Sequence, residues 1–344
     1  MMKWNNARSH WRGLSPAALL LCGLVLFPSA HAAEEFDPAS HADIRAWVDD
    51  VSRGGISRDD VTQALRHARF RQEVLDAMQG AAERRLSWHE YRDIFVQPKR
   101  IQEGVAFIRE HRDAFARAER EYGVPPAYIA AIIGVETRYG QYKGEHRVLD
   151  SLATLAFHHP SRGEFFRGEL AAFLEITLDQ GISPEAPKGS YAGAMGYPQF
   201  IPTSYRAYAI DFDDDGRRDL WDDPVDAIGS VGNYFAEHGW RRGAPVVTPA
   251  DGPKTPPQAI DFNRTRAPYA RLAPLADAGI HPRGEFDASR VIPLSLALES
   301  GGYRYALGHE NFYVITRYNH SYLYAMAVTE LAAGIQAALD KDDA

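Results

Sequence analysis

A mainly helical α+β fold is predicted by three features of the chain. Apolar residues recur at helical spacing from about residue 40 to residue 122. A later run, residues 128–135, is apolar all round, the pattern of a helix inside a core. From about Gly243 to His309 the texture changes to proline, glycine and short apolar runs, which reads as a small β-rich insertion. The 344 residues exceed one ordinary domain. They are 45% apolar and 24% charged, ordinary globular values that exclude a disordered, collagen-like or many-span membrane chain. Lys plus Arg number 38 and Asp plus Glu 46, a net charge of −8 that argues against general nucleic-acid binding. A single cysteine excludes a disulfide framework and a cysteine-rich zinc site.

The N-terminus reads as a leader. Lys3, Arg8 and Arg12 precede an apolar run from Leu14 to Phe27, and Ala30-His31-Ala32 supplies small residues at a cleavage site after Ala32. The run is shorter than the roughly 20 residues that span a bilayer. Cys22 is preceded by Leu20-Leu21 rather than a small residue, so soluble export is expected over lipidation.

The mature chain opens with helices. Ser40 is expected to cap one carrying Ile44, Trp47, Val48 and Val51, at i, i+3, i+4 and i+7. Ser57 begins a second with Val61 and Leu65, and a third carries Phe70, Val74, Leu75 and Met78. Ser87 begins a short helix with Tyr91. Pro98 opens a long charged helix with Val105, Phe107, Ile108 and Phe115, ended by Gly123. Pro125-Pro126 starts the apolar helix, expected to run through Tyr139 and stop at Gly140. Residues 150–180 read as two helices, with Leu152, Leu155, Phe165, Phe166, Leu170, Phe173 and Leu174 in the core. Residues 188–205 hold three glycines, two prolines and four aromatics, and read as a structured loop and helix start lining a site. After an acidic loop, residues 227–239 are helical. Val246-Val247, residues 259–262 and residues 291–296 read as strands, and a last helix runs from about Ser321 to Ala338.

Two constellations carry chemistry. Glu136 follows a seven-residue apolar run, and burial raises a carboxyl toward the range a general acid needs. The competing reading is a structural glutamate paired with an arginine; Arg138, two residues on, faces elsewhere on a helix. The loop Asp211-Phe212-Asp213-Asp214-Asp215-Gly216-Arg217-Arg218-Asp219-Leu220-Trp221-Asp222 has calcium-loop acids at positions 1, 3 and 5 and glycine at 6. Arg218 replaces the usual apolar residue at position 8, and either Asp222 or Asp226 closes the loop. The alternative is a solvated acidic turn. His158-His159 is adjacent rather than spaced for a metal, and Asn263-Arg264-Thr265 is a common chance glycosylation triplet. Tyr318, Tyr322 and Tyr324 with Asn319 fit ordinary core and surface, and clustered tyrosines with amides also suit sugar rings, whose faces stack on aromatics.

Five stretches, in this order, resemble the lytic transglycosylase B family of bacterial murein-degrading enzymes. They are residues 134–140 (GVETRYG), 190–205 (SYAGAMGYPQFIPTSY), 219–222 (DLWD), 226–235 (DAIGSVGNYF) and 316–321 (TRYNHS). The resemblance implies a lysozyme-like helical catalytic core, residues 96–242, between an N-terminal helical domain, 33–95, and a small β-rich domain, 243–310. Residues 311–344 return to the core. It implies non-hydrolytic cleavage of the MurNAc–GlcNAc β-1,4 bond of peptidoglycan, exo or endo, leaving a 1,6-anhydro-MurNAc end. With the leader and the context of Cys22, the expected enzyme is a soluble periplasmic monomer. The resemblance makes Glu136 the single catalytic acid/base. Ser190, Gln199, Tyr234, Tyr318, Asn319 and Tyr324 match the family's substrate cleft, as do Tyr91 and Arg162. Its structural calcium ion falls on Asp211, Asp213, Asp215, the Arg217 carbonyl and Asp226, and no organic cofactor is implied. Three rivals remain: a lysozyme-type muramidase, which needs a second acid near Glu136, a non-catalytic peptidoglycan-binding or scaffold protein, which does not need Glu136, and a calcium-regulated structural protein, which leaves the glycine-rich loop unexplained.

Overall fold

The computed structural model describes residues 35–83, 86–284 and 287–342; the leader, with Cys22 and the cleavage after Ala32, lies outside the described residues. Four helices come first: α1 (Ala42–Arg53), α2 (Arg58–His67), α3 (Gln72–Glu83) and α4 (Trp88–Phe95). The Ser57 hydroxyl caps α2 by accepting from the Asp60 N–H, and Ser87 with Glu90 forms a capping box on α4. Ser40 does not cap α1; the cap position is His41, with no side-chain bond. Buried Asp150 ties this region to the core. Its carboxylate accepts from the Arg69 N–H at 3.0 Å and from the Arg71 guanidinium at 3.0 and 3.1 Å.

The expected single helix from Pro98 is two, α5 (Pro98–Glu110) and α6 (Arg112–Tyr122). His111 leaves helical geometry at φ −111° and ψ 35°, and the kink brings Phe107 and Phe115 edge to face at 5.6 Å. Gly123 ends α6 at φ 72°, as a left-handed cap favours glycine. Then comes α7 (Pro126–Thr137), buried through almost its whole length. It packs between α5 and a long C-terminal helix, and it ends two residues earlier than the apolar pattern predicts.

Strand β1 (His146–Arg147) leads into α8 (Val148–His158) and α9 (Gly163–Asp179), and pairs antiparallel with β2 (Lys188–Gly189). Phe166 is buried, whereas Phe165, expected inside, is exposed. Helices α10 (Pro202–Tyr208) and α11 (Pro224–Glu237) bracket the acidic loop. The insertion holds β3 (Val247–Asp251), β4 (Ala270–Arg271), α12 (Leu272–Asp277), β5 (His281–Pro282), β6 (Arg290–Ala297) and β7 (Tyr303–Gly308). Its strands form one antiparallel sheet in the order β4-β6-β7-β3-β5. Strand β7 adds to the expected strands, and residues 259–262 are not a strand. Side-chain bonds replace a ladder there: Asn263 accepts from the Ser295 N–H and donates to the Ser295 carbonyl, both at 3.0 Å. The asparagine of the glycosylation triplet is thereby tied into the sheet.

The chain returns to the core as α13 (Glu310–Tyr318) and α14 (Tyr322–Asp342). Among the described residues α14 alone is long and apolar enough to cross a membrane, and half of its apolar stretch is buried inside the fold. Glu330 on α14 holds the units together. It accepts from Arg92 of α4 at 2.6 Å and also pairs with Arg304 of β7. That places α4, with Tyr91, against the start of α14, with Tyr324.

Candidate active site

Glu136 is the penultimate residue of α7. The Tyr324 hydroxyl donates to its Oε1 at 2.6 Å. Burial pushes the carboxyl up to about 7, against the lowering effect of that hydrogen bond; neither a cation nor a second carboxylate contributes among the described residues. Arg138 is not its partner. The Arg138 guanidinium pairs with Glu103 of α5 through two bonds at 2.7 and 2.8 Å, facing away from the site. Tyr91, Tyr318 and Tyr324 surround the glutamate. Burial raises each phenol, Tyr91 to about 12, and the Glu136 charge adds to all three shifts.

The tyrosines form a connected wall. Tyr318 and Tyr324 stack at 6.4 Å with planes 11° apart. The Tyr318 hydroxyl donates to the Pro198 carbonyl at 2.6 Å, joining α13 to the glycine-rich loop. Tyr234 is buried behind them, edge-on to Tyr318 at 4.8 Å, with its hydroxyl donating to the Arg317 carbonyl at 2.7 Å. It supports the wall from inside. Asn319 is exposed just past the end of α13. Arg162 stands apart from this group, exposed at the start of α9 and stacked over Phe165 and Phe166 at 4.6 and 5.1 Å.

Residues 188–200 fold as tight β-bridges, Gly189 with Met195 and Met195 with Phe200. Gly189 is required: a methyl group there would overlap the Ala194 carbonyl. The Ser190 hydroxyl oxygen accepts from the Ala192 and Ala194 N–H groups at 3.2 and 3.0 Å. Its own proton remains available to donate. Gln199 sits at φ 50°, and its amide N–H donates to the Gly196 and Lys143 carbonyls at 2.8 and 3.2 Å. Its side-chain carbonyl is left as an acceptor.

In the acidic loop, carboxylate oxygens of Asp211, Asp213 and Asp226 all lie within 4.8 Å of one another. Buried Asp226 accepts from the Phe212 N–H at 2.6 Å and from the Asp219 N–H at 2.7 Å, so it grips both ends of the loop. Burial raises its carboxyl to about 6, opposed by those two bonds. Asp215 turns its carboxylate back onto the Arg217 N–H at 2.8 Å. Gly216 takes φ 92°, the left-handed turn that position 6 of such a loop demands. Asp222 is exposed and faces Lys143 at 3.4 Å, away from the cluster. Three crowded carboxylates with oxygen donors alone fit a hard cation such as calcium. His158 and His159 serve local contacts: His158 meets Glu35 at 3.2 Å, and His159 accepts from the Ser161 and Arg162 N–H groups.

Sequence reasoning missed the groups that set the Glu136 backbone. Arg138 and Tyr139 are left-handed at φ 50° and 59°, and Gly140 follows at 84°. The Tyr139 hydroxyl donates to the Arg100 carbonyl at 2.9 Å and lies where a methyl on Gly104 or Gly134 would be. Thr137 donates to the Tyr197 carbonyl at 2.9 Å. Glu103 is 35 residues from its partner and carries no local signal.

Residues 39–333 match the transglycosylase SLT domain family. The membrane-bound lytic murein transglycosylase B of Escherichia coli (strain K12) is 43% identical over 312 residues, which is 87% of this chain and 84% of that one. The structure of the Escherichia coli lytic transglycosylase Slt35 in complex with calcium is 40% identical, with a TM-score of 0.80 over 91% of this chain and 99% of that one. SltB3 from Pseudomonas aeruginosa, solved with NAG-anhNAM-pentapeptide, is 31% identical, with a TM-score of 0.72 over 85% of this chain and 78% of that one.

Proposed function

Because this chain belongs to the transglycosylase SLT domain family and is a peptidoglycan lytic transglycosylase, we propose that Glu136 alone performs both proton transfers of its reaction. The observation that carries this reading is the Glu136 carboxyl, raised to about 7 by burial and bonded by Tyr324, with no second carboxylate contributing among the described residues. A group in that range is half protonated near neutral pH, where an acid that must also act as a base works best. Protonated Glu136 gives its proton to the glycosidic oxygen as the bond from that oxygen to C1 of MurNAc breaks. The resulting carboxylate then takes the proton of the sugar's own C6 hydroxyl as that oxygen bonds to C1. The product ends in 1,6-anhydro-MurNAc, no water is consumed, and Glu136 is reset. Between the steps the substrate's acetamide carbonyl stabilises C1, and the free Ser190 proton orients that acetamide. Tyr318, Tyr324, Tyr91, Gln199 and Asn319 serve the sugar rings. Arg162 belongs to a more distant part of the cleft, and Tyr234 backs the tyrosine wall.

Asp211, Asp213, Asp215, the Arg217 carbonyl and Asp226 would hold calcium. The ion would neutralise the crowded carboxylates and fasten the acidic loop to α11. The Escherichia coli structure solved with calcium supports this assignment. On this reading the mature protein begins at Ala33 and is soluble in the periplasm, although its Escherichia coli relative is named membrane-bound. N-terminal sequencing of the exported protein decides between Ala33 and a lipid-modified Cys22.

Mass spectrometry of digested peptidoglycan tests the main reading. Anhydro ends from the wild type and none from Glu136→Gln are expected. Reducing ends would favour a muramidase, and no digestion by the wild type a binding protein.

A further inference from the structure

The first turn of α5 carries a cation that no step of the reaction uses. Arg100 is half-buried, and its Nη1 donates to the Gly134 carbonyl of α7 at 3.3 Å. The Arg138 N–H, the helical partner of that carbonyl, donates to Ile133 instead. We propose that Arg100 is a positioning residue for the base half of the reaction: its charge offsets the negative end of α7, where Glu136 must become a carboxylate to take the second proton. This rests on the acid/base role of Glu136 given above.

Arg100 is a poor contact for stability. Its Nε N–H is buried with no partner among the described residues, a cost that a contact kept for stability alone would avoid. It makes no ion pair among the described residues, because Glu103, one turn on along α5, is taken by Arg138. Burial pushes the guanidinium pKa down; Tyr139 and Glu103 oppose this and Arg138 adds to it. An arginine nevertheless stays charged. The guanidinium lies over the Phe95 ring at 5.2 Å, and Phe95 packs on Tyr91 at 5.0 Å. That aromatic cover keeps water from one side of the charge, so its field on the helix end is less screened.

The charge acts through the helix and not by touching the carboxyl. The titratable groups facing Glu136 are Tyr91 of α4, Tyr318 of α13 and Tyr324 of α14, and no cation contributes directly among the described residues. Glu136 lies two residues after Gly134, in the last turn of α7. The carbonyls at a helix C-terminus carry about half a negative charge, which opposes a carboxylate there. A cation set on one of them offsets that opposition. An ion pair would instead hold the carboxylate charged through both halves of the reaction. Acting one step removed, Arg100 eases the charged form and leaves Glu136 able to carry its proton for the acid half.

Carbon-13 NMR of the full mature enzyme, with glutamate carboxyls labelled and Glu136→Gln assigning the signal, reads the Glu136 titration without any turnover. Arg100→Met is expected to raise it by about 0.2–0.7 pH units, the scale of one charge at a helix end. Arg100→Gln can keep the bond to Gly134 without the charge and should shift equally, whereas Arg100→Lys should restore the wild-type value. Methionine removes the unpaired N–H and packs on Phe95, so the melting temperature of Arg100→Met should hold or rise. An unmoved Glu136 titration, a wild-type value in Arg100→Gln, or a shift in Arg100→Lys as large as in Arg100→Met overturns the proposal. So does collapse of the Arg100→Met fold, which would mark a structural contact. The alkaline limb of kcat/KM on peptidoglycan should follow the NMR value in each variant. A limb that ignores a shifted carboxyl would instead sink the acid/base role of Glu136, while the shift itself would still establish what Arg100 does to the end of α7.

Discussion

Replacing Glu136 by glutamine separates its chemical role from its structural one through pH. The folded carboxyl keeps its proton until about pH 7, whereas the unfolded chain releases it near 4.5. Between those values the folded state binds more protons than the unfolded state, so rising pH lowers stability. Once the carboxyl is charged in the fold, a rise from 4.5 to about 7 corresponds to about 3 kcal/mol. Glutamine does not titrate and can still accept from Tyr324, so the variant escapes this penalty. The stability advantage of Glu136→Gln over the wild type should therefore grow by about 3 kcal/mol between pH 4.5 and pH 8, beyond any constant offset from repacking. Denaturant melts at both pH values measure the gap, beside release of anhydro-muropeptides. Turnover should fall about 10³–10⁴-fold or more, because on the proposed mechanism one group serves both proton transfers. A gap that is flat with pH would refute the buried, raised carboxyl. Near-normal turnover in a folded variant would refute the acid/base role.

Three further outcomes are expected. Tyr324→Phe removes the bond that lowers the Glu136 pKa, so the alkaline limb of kcat/KM should move up by about one pH unit, and an unmoved limb would discount the contact. Gly140→Ala forces a side chain into a left-handed position at φ 84° and against the Tyr197 ring. A loss of about 2–4 kcal/mol is expected by chemical denaturation, from backbone strain plus overpacking. Calcium at 100 times its Kd should stabilise the wild type by about 2.7 kcal/mol. Asp213→Ala should lose that stabilisation, and a melting curve indifferent to chelator in the wild type would favour the solvated turn.

What could be read from the sequence divides by distance along the chain. Caps at Ser57 and Ser87 and the burial of α7 are local patterns, and they are legible because neighbours a turn apart settle them. Ser40 looked like a cap because a serine precedes an amphipathic run, but the helix starts a residue later. The break at His111 was hidden because the apolar spacing of Phe107 and Phe115 suits a continuous helix as well as a bent pair. The two-residue spacing of Glu136 and Arg138 shows that they do not face each other on a helix. The partner that Arg138 takes instead, Glu103, comes from another helix and no pattern predicts it. The tyrosine wall is similar. Tyr318 and Tyr324 are near in sequence, but Tyr91 arrives through the Arg92–Glu330–Arg304 contact that docks α4 and β7 on α14.

The position of Glu136 at a helix end explains the distorted turn beside it. The C-terminal end of a helix carries partial negative charge, an unfavourable place for a carboxylate and a favourable one for its protonated form. A helix continuing past Glu136 would move that end away from it. Ending α7 at Thr137 instead requires a sharp reversal through Arg138, Tyr139 and Gly140, all left-handed. Two of these are not glycine and cost roughly 1–2 kcal/mol each. The surroundings offset that cost with contacts that exist only in this conformation. Arg138 takes the two-pronged bond to Glu103, Tyr139 lies in the notch left by Gly104 and Gly134, and Thr137 accepts from the Gly140 N–H at 3.0 Å. None of these groups bonds to the Glu136 carboxyl. They fix the backbone that aims it at Tyr324 while leaving it without a charge to pair with, as the proposed mechanism requires of a single group that both gives and takes the proton.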